Sequence, residues 1–328
     1  MNTGAGDFFD VVVKQVWAEA QRVMALDLQA ADGGKLPAWE AGAHIDVQTQ
    51  DKFGTAVVRQ YSLCGSPGAD TWRIAVLCDT QGRGGSARLC TDARVGDRLR
   101  VRGPRNHFQL STDERPVVLV AGGIGITPLL AMADRLHAQG QPFRLHYFAR
   151  DRQSMAFRDQ LLTCPYQSVV HLSFDDEGPT PLADIFTGAD HDAWLYTCGP
   201  DGFMNAVMAS AQAAGISPLR IRKELFASEP LPAAPAVGGD RAFTVRLQSS
   251  GRLIEVPADK TVVHALADAG IDIVVSCEQG HCGSCLTRII EGTPDHRDQF
   301  MLPEEHERND AFTPCCSRAV SEILVLDL

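Results

Sequence analysis

The first hundred residues run in short stretches where apolar and polar positions alternate. Residues 10–16, 44–49, 57–63 and 73–78 alternate or are rich in β-branched side chains, with turn-forming residues between them. That pattern predicts half-buried strands. Residues 95–101 add a turn and another strand, and a helix is predicted after Gly85. Short strands in series point to a β-barrel. The pattern changes after Ser111. Residues 116–120 are wholly apolar, 127–139 read as a helix, 143–149 and 193–198 as strands, and 201–214 as a helix. Strand alternating with helix predicts a parallel sheet covered on both faces. The last segment opens with a hairpin over 243–247 and 252–256. A helix over 261–269 follows, with Asp259 as candidate N-cap and Gly270 as its stop.

These changes of period divide the chain into residues 1–110, 111–228 and 241–328. Residues 229–240 hold three prolines and two glycines without apolar periodicity, which reads as a linker. The composition is 45% hydrophobic and 22% charged. It excludes a disordered, collagen-like or coiled-coil chain. Acidic residues number 41 and basic ones 30, a net charge of −11, so there is no electrostatic footprint for nucleic acid. Residues 241–328 alone carry 14 acids and 8 bases. Such a segment suits a partner with a basic docking face; solubility is the competing explanation. No apolar run reaches the ~20 residues of a membrane span. Residues 1–7 have neither the basic nor the apolar part of a secretory leader. A cytoplasmic location with reduced thiols is therefore expected, and the ten cysteines call for an explanation other than disulfides.

Four of them supply it. Cys277, Cys282 and Cys285 are spaced C-x4-C-x2-C, and Cys315 follows after 29 intervening residues. This is the spacing of plant-type 2Fe–2S ligation. Two sulfide-bridged irons need four thiolates in a small volume. Gly280, Gly283 and Ser284 let the loop wrap tightly and aim backbone N–H groups at the sulfurs. A structural zinc site is the alternative, but zinc sites usually take two spaced pairs, and here Cys315 and Cys316 are adjacent. Cys316 is the alternative fourth ligand. Cys64, Cys78, Cys90, Cys164 and Cys316 are otherwise read as small hydrophobes.

Two further motifs point to phosphate-bearing ligands. Gly122-Gly123-Ile124-Gly125-Ile126-Thr127-Pro128 follows an apolar strand and opens a helix. The glycines allow a diphosphate to approach the backbone, and the helix start offers free N–H groups. Pro128 fits the first turn, and a plain tight connection is the alternative. Cys198-Gly199-Pro200 ends another strand of the same sheet, where ligands of such sheets bind. In the first segment, Arg59, Tyr61 and Leu63 share one face of a predicted strand and Ser62 takes the other. Arg59 can pair with a phosphate and Tyr61 can stack on a planar ring. Gly82-Arg83-Gly84-Gly85-Ser86 lies just before a helix, as a phosphate cradle would.

Taken in order, a set of motifs resembles the phthalate dioxygenase reductase family of the ferredoxin–NADP reductase superfamily, with vanillate O-demethylase reductases as near kin. The set is Arg59-x-Tyr61-Ser62-Leu63, Gly82 to Ser86, Gly103-Pro104-Arg105-Asn106-x-Phe108, Gly122 to Pro128, Cys198-Gly199-Pro200, Glu224-Leu225-Phe226 and Cys315-x-Ser317-Arg318. The resemblance implies a multi-domain chain. It would comprise a β-barrel flavin domain, an α/β nucleotide-binding domain with a parallel sheet, and a C-terminal β-grasp plant-type ferredoxin domain. It implies FMN held by Arg59, Tyr61, Ser62, Leu63, Val76 and Leu77, with its phosphate on Gly84, Gly85 and Ser86. The pyridine nucleotide would lie on Gly122, Gly123, Gly125, Gly199, Pro200 and Arg150. Thr127 would sit near the flavin edge, Cys198 near the nicotinamide, and Phe226 over the flavin face. Cys277, Cys282, Cys285 and Cys315 would hold the cluster. Arg150-Asp151-Arg152 mixes an acid suited to ribose hydroxyls with arginines suited to a 2′-phosphate; NADH is preferred over NADPH. The implied function is the reductase of a Rieske-type aromatic oxygenase or demethylase. Hydride comes in pairs of electrons and a cluster takes them singly, so a flavin lies between. A reductase for another one-electron acceptor and a non-enzymatic redox module are the competing readings.

Overall fold

The computed structural model describes residues 8–80, 84–188, 191–226, 240–273, 275, 278–280, 283–298, 301 and 303–328. The chain divides into two compact units, Met1–Phe226 and Ala227–Leu328. Of the linker read over 229–240, only Asp240 is among the described residues.

The first unit begins with β1 (Phe9–Ala20), β2 (Val23–Ala30), β3 (His44–Gln50), β4 (Ala56–Ser62), β5 (Trp72–Leu77), α1 (Gly85–Asp92) and β6 (Arg98–Arg105). The strands form one antiparallel sheet in the order β4-β3-β6-β1-β2-β5. Its two edges meet. Leu63, just past β4, bridges Ile74 of β5, and the Cys64 N–H donates to the Arg73 carbonyl at 2.9 Å. Closure removes the exposed edges, and Val11, Leu26, Ile45, Leu63, Ile74 and Val101 fill the interior with no exposure. Asp46 is also fully buried, between Arg102 and Arg105. Strand β2 is absent from the sequence reading. Its positions 25–28 are buried in succession, as are 44–47 of β3, and its place in the barrel comes from pairing with β1 and β5.

A disulfide between Cys78 and Cys90 corrects the reading of those two residues as separate apolar thiols. Cys78 follows β5 and Cys90 lies on α1. Barrel closure brings their Cα atoms to 5.9 Å, within the range a disulfide spans.

The unit continues with β7 (Val117–Gly122), α2 (Ile126–Gln139), β8 (Phe143–Ala149), α3 (Arg158–Thr163), β9 (Val170–Phe174), β10 (Trp194–Cys198), α4 (Asp201–Ala213) and β11 (Ile221–Glu224). All five strands are parallel, in the order β11-β10-β7-β8-β9. Every residue of β7 is buried, as the unbroken apolar run requires of a strand covered on both faces. The strand order reverses between β7 and β10, which creates a crevice at their carboxyl ends.

The second unit holds β12 (Phe243–Leu247), β13 (Leu253–Val256), α5 (Val262–Asp268), β14 (Thr287–Glu291), β15 (Pro294–Asp295), α6 (Pro303–Arg308), β16 (Ala311–Phe312), β17 (Arg318–Ala319) and β18 (Ile323–Leu326). The expected hairpin is β12–β13. The main sheet runs β13-β12-β18-β14-β16, with β12 and β18 parallel. Helix α5 packs against it through Val262, Ala265 and Leu266, in the manner of a β-grasp. The helix is capped by Thr261, whose hydroxyl accepts the His264 N–H, rather than by Asp259.

Candidate functional site

The carboxyl ends of β7 and β10 carry the two expected nucleotide turns, and the turns touch. Gly123–Gly125 form a single 3₁₀ turn leading directly into α2. A Cβ on Gly125 would lie 2.2 Å from the Cys198 carbonyl oxygen and 2.7 Å from the Gly199 nitrogen. Only glycine allows this approach. A Cβ on Gly122 would meet the Phe203 ring at 2.8 Å and Pro200 at 3.2 Å. Phe203 packs against Phe148 with ring centroids 5.3 Å apart. Sequence reading singled out neither aromatic, because each looks like an ordinary apolar position.

Thr127 is buried, and its hydroxyl donates to the Ile124 carbonyl at 3.1 Å. It ties the turn to α2. Cys198 is fully buried, and burial together with the Glu224 carboxyl pushes its thiol well up. Arg150, exposed, follows β8, the neighbour of β7. Asp151 accepts N–H bonds from Gln153 and Ser154 at 2.9 and 2.8 Å, which hold its carboxyl below the usual range. Arg152 bonds Glu177 at 2.5 Å and stacks over Phe174. The sequence leaves the balance of acid against arginine open here, and folding gives Asp151 and Arg152 different partners.

On the barrel, Gly85 opens α1 beside Arg59. A Cβ on Gly85 would lie 3.0 Å from Arg59 Nε and 3.0 Å from Thr49 Cγ2; one on Gly84 would lie 2.6 Å from the Lys52 nitrogen. Ser86 Oγ accepts the Asp79 N–H at 3.3 Å. A helix start, two glycines, a serine and an arginine therefore converge, the donor set an oxyanion requires. Gly82 and Arg83 lie outside the described residues. The Tyr61 hydroxyl is buried without a hydrogen-bond partner, an unmet polar group on the same strand. Leu63 and Val76 have no exposure, while Leu77 is 40% exposed. Phe226, the last described residue of the unit, is 41% exposed.

A long-range side-chain hydrogen bond links the barrel strand β4 to β11 of the parallel sheet. Ser62 Oγ donates to Glu224 Oε2 at 3.3 Å, across 162 positions. Glu224 pairs in register with Cys198. Burial outweighs the Ser62 bond and raises the Glu224 carboxyl to about 8, so it holds a proton at neutral pH. Glu224 stood in a motif of the resemblance but not among the candidate residues; no local signal connects it to Ser62.

In the second unit Cys285 and Cys315 are buried together against Val263. Neither is in a disulfide. Cys316 Sγ lies 3.3 Å from the Thr313 hydroxyl and also interacts with the Cys315 thiol. Cys277 and Cys282 lie outside the described residues. Around them, Glu278, Gly280 and Gly283 all have positive φ. A Cβ on Gly280 would lie 2.5 Å from Cys316 Sγ. A loop coiled this tightly beside buried thiols has the donor chemistry and compactness that a 2Fe–2S group needs.

A closed barrel with an anion cradle, a parallel sheet with a crevice at its order reversal and a cysteine-loop β-grasp define a flavin- and pyridine-nucleotide-dependent oxidoreductase with a ferredoxin module. Residues 245–320 match the 2Fe-2S iron-sulfur cluster binding domain family. The chain is 43% identical over 323 residues to the vanillate O-demethylase oxidoreductase of Pseudomonas sp. (strain HR199 / DSM 7063), covering 97% of this chain and 99% of that one. It is similar to the structure of phthalate dioxygenase reductase, described as modular for electron transfer from pyridine nucleotides to [2Fe-2S]. The TM-score there is 0.69 at 34% identity, with 98% of both chains covered. The protein belongs to the phthalate dioxygenase reductase family, the reductase components of oxygenase systems. An intact type IV self-sufficient cytochrome P450 monooxygenase also superposes, with a TM-score of 0.88 and 38% identity over 98% of this chain. This chain spans only 41% of that protein.

Proposed function

We propose that this reductase uses NADH and FMN and serves a Rieske-type oxygenase or demethylase acting on an aromatic substrate, in the cytoplasm. The observation that carries the reading is the Ser62–Glu224 bond. It brings the flavin-side strand and the nucleotide-side strand into one site, as hydride transfer between two bound rings demands. When bound, FMN would supply the chemistry that takes electrons as a pair and gives them up singly.

The residues position and enclose. Arg59, Gly84, Gly85 and Ser86 hold the FMN phosphate. Tyr61, Ser62 and Leu77 would line the ring and Phe226 would cover it, with Leu63 and Val76, which have no exposure, packed behind them. Gly122, Gly123, Gly125, Gly199, Pro200 and Arg150 receive the dinucleotide. Cys198 and protonated Glu224 flank the nicotinamide, and Thr127 fixes the turn beneath it. NADH is favoured because Arg152 is engaged with Glu177 while Asp151 remains ionised to accept ribose hydroxyls. Cys277, Cys282, Cys285 and Cys315 ligate the cluster, and Cys316 Sγ lies beside the Thr313 hydroxyl. The domains are assigned as 1–110, 111–228 and 241–328, with 229–240 as linker.

The relatedness to a P450 fusion supports a second reading, in which the acceptor is a haem. Reconstitution separates the two. The protein as purified should contain FMN, and NADH should drive turnover of a Rieske oxygenase. Cys285→Ser should retain NADH-to-flavin reduction and lose cytochrome c reduction. If the variant keeps both activities, the cluster is not the exit. If only a haem acceptor is reduced by the parent, the Rieske assignment is wrong.

A further inference from the structure

Among the described residues of the C-terminal unit, the electron path leaves a group of ligating side chains without a task. His296, Asp298 and His306 each bring a ligand atom within 4.8 Å of the others. The Asp298 side chain is completely buried. Its Oδ2 accepts the Met301 N–H at 2.8 Å. Its Oδ1 lies 3.2 Å from His306 Nε2, 3.8 Å from His296 Nδ1 and 3.5 Å from Ser317 Oγ. The two imidazoles stack with centroids 4.3 Å apart.

His296 is the anomaly. Its side chain is 10% exposed, and neither ring nitrogen has a hydrogen-bond partner. Asn309 and the His306 backbone come near it but do not meet hydrogen-bond geometry. Buried polar groups are rarely left unsatisfied, and one that is left so calls for an unseen partner. The donors themselves suggest that partner. A tetrahedral zinc ion with nitrogen and oxygen ligands at about 2.0–2.2 Å sets them roughly 3.4 Å apart. The two separations from Asp298 Oδ1, 3.2 and 3.8 Å, lie on either side of that value, all three ligand atoms fall within 4.8 Å, and the stacked imidazoles would turn to aim at a common ion.

We propose that His296, Asp298 and His306 form a divalent transition-metal site, separate from the cluster cysteines, that takes zinc. Imidazole and carboxylate donors suit this class of ion and not the all-oxygen shell of calcium or magnesium. His306 is 28% exposed, which leaves water access for a fourth ligand. The ion would tie α6 to the segment after β15. It would also brace the cysteine loop, because Asp298 Cα and Cβ lie 3.0 Å from where a Cβ on Gly280 would stand.

The test is calorimetric titration of the flavin- and cluster-loaded protein with Zn²⁺, with iron and zinc measured before and after. One zinc per chain should bind at a micromolar or tighter constant, with iron content and visible spectrum unchanged. His306→Gln and His296→Asn should each weaken binding at least tenfold without altering the cluster spectrum. Cys316→Ser should leave it intact. If His296→Asn fails to fold, His306→Gln at its partly exposed position carries the test. Absence of saturable uptake would overturn the proposal, as would zinc gained only as iron is lost, uptake abolished by Cys316→Ser, or full-affinity binding by His306→Gln.

Discussion

Replacing Gly125 by alanine tests whether the two nucleotide turns meet as described. The backbone of Gly125 has φ −62° and ψ −4°, which any residue adopts, so conformational strain contributes nothing. The whole effect comes from overlap. The new methyl would stand 2.2 Å from the Cys198 oxygen, 2.4 Å from its carbonyl carbon and 2.7 Å from the Gly199 nitrogen. These are backbone atoms at the end of a buried parallel strand, and they must move by about 1 Å to restore van der Waals contact. Overpacking usually costs about 1–3 kcal/mol, and displacement of rigid backbone puts this case near ~3 kcal/mol. For a unit of this size each kcal/mol lowers Tm by about 2–4 °C, so a fall of roughly 6–12 °C is expected. Gly123→Ala is the comparator. Gly123 has φ +55° but nothing within 4 Å of its Cβ position, so it incurs only left-handed strain, about 1–2 kcal/mol. Scanning calorimetry of both variants gives the Tm values, and steady-state NADH oxidation gives KM. Gly125→Ala should also raise KM for NADH, because Gly199 and Pro200 are pushed off the turn. A Gly125→Ala protein within 2 °C of the parent, or one more stable than Gly123→Ala, would refute the contact.

Two further outcomes concern Glu224 and the Cys78–Cys90 pair. Glu224 titrates near 8 in the folded protein against 4.5 when exposed. Below 4.5 both states hold the proton. Between 4.5 and about 8 only the folded state does, so stability falls with rising pH by up to ~1.4 kcal/mol per unit and levels off above. Glu224→Gln removes that slope, and its Tm should vary less between pH 5 and 8; parallel profiles would count against a protonated Glu224. The Cys78–Cys90 disulfide closes a loop of sequence separation 12, worth about 3 kcal/mol. A thiol reductant should therefore lower the Tm of the parent and leave a Cys78→Ser/Cys90→Ser protein unmoved.

Much of the architecture was legible because its signals are local. The alternating or β-branched runs of β3 and β4 mark strands by composition, and the apolar run of β7 reports its two-sided burial; a single segment carries each signal by itself. The C-x4-C-x2-C loop and the Gly122–Pro128 turn are equally local, since a tight loop is specified by the residues inside it. Strand β2 is fixed instead by its pairing with β1 and β5, a non-local property that its own residues do not report. The hairpin and helix of the C-terminal unit were read correctly, but the N-cap is Thr261, two residues from the expected Asp259, since either side chain satisfies the sequence rule and only geometry chooses between them.

Sequence alone determined the kinds of segment, their order, and the ligand chemistry of each motif, because period, glycine placement and cysteine spacing act over a few residues. Tertiary structure decided which motifs face one another. Ser62 reaches Glu224 only when the barrel strand packs beside the parallel sheet, Cys78 finds Cys90 only when β5 meets α1, and His296 and His306 share Asp298 only after α6 folds back. Such meetings depend on register and closure, which are properties of the whole chain and leave no trace in the residues on either side.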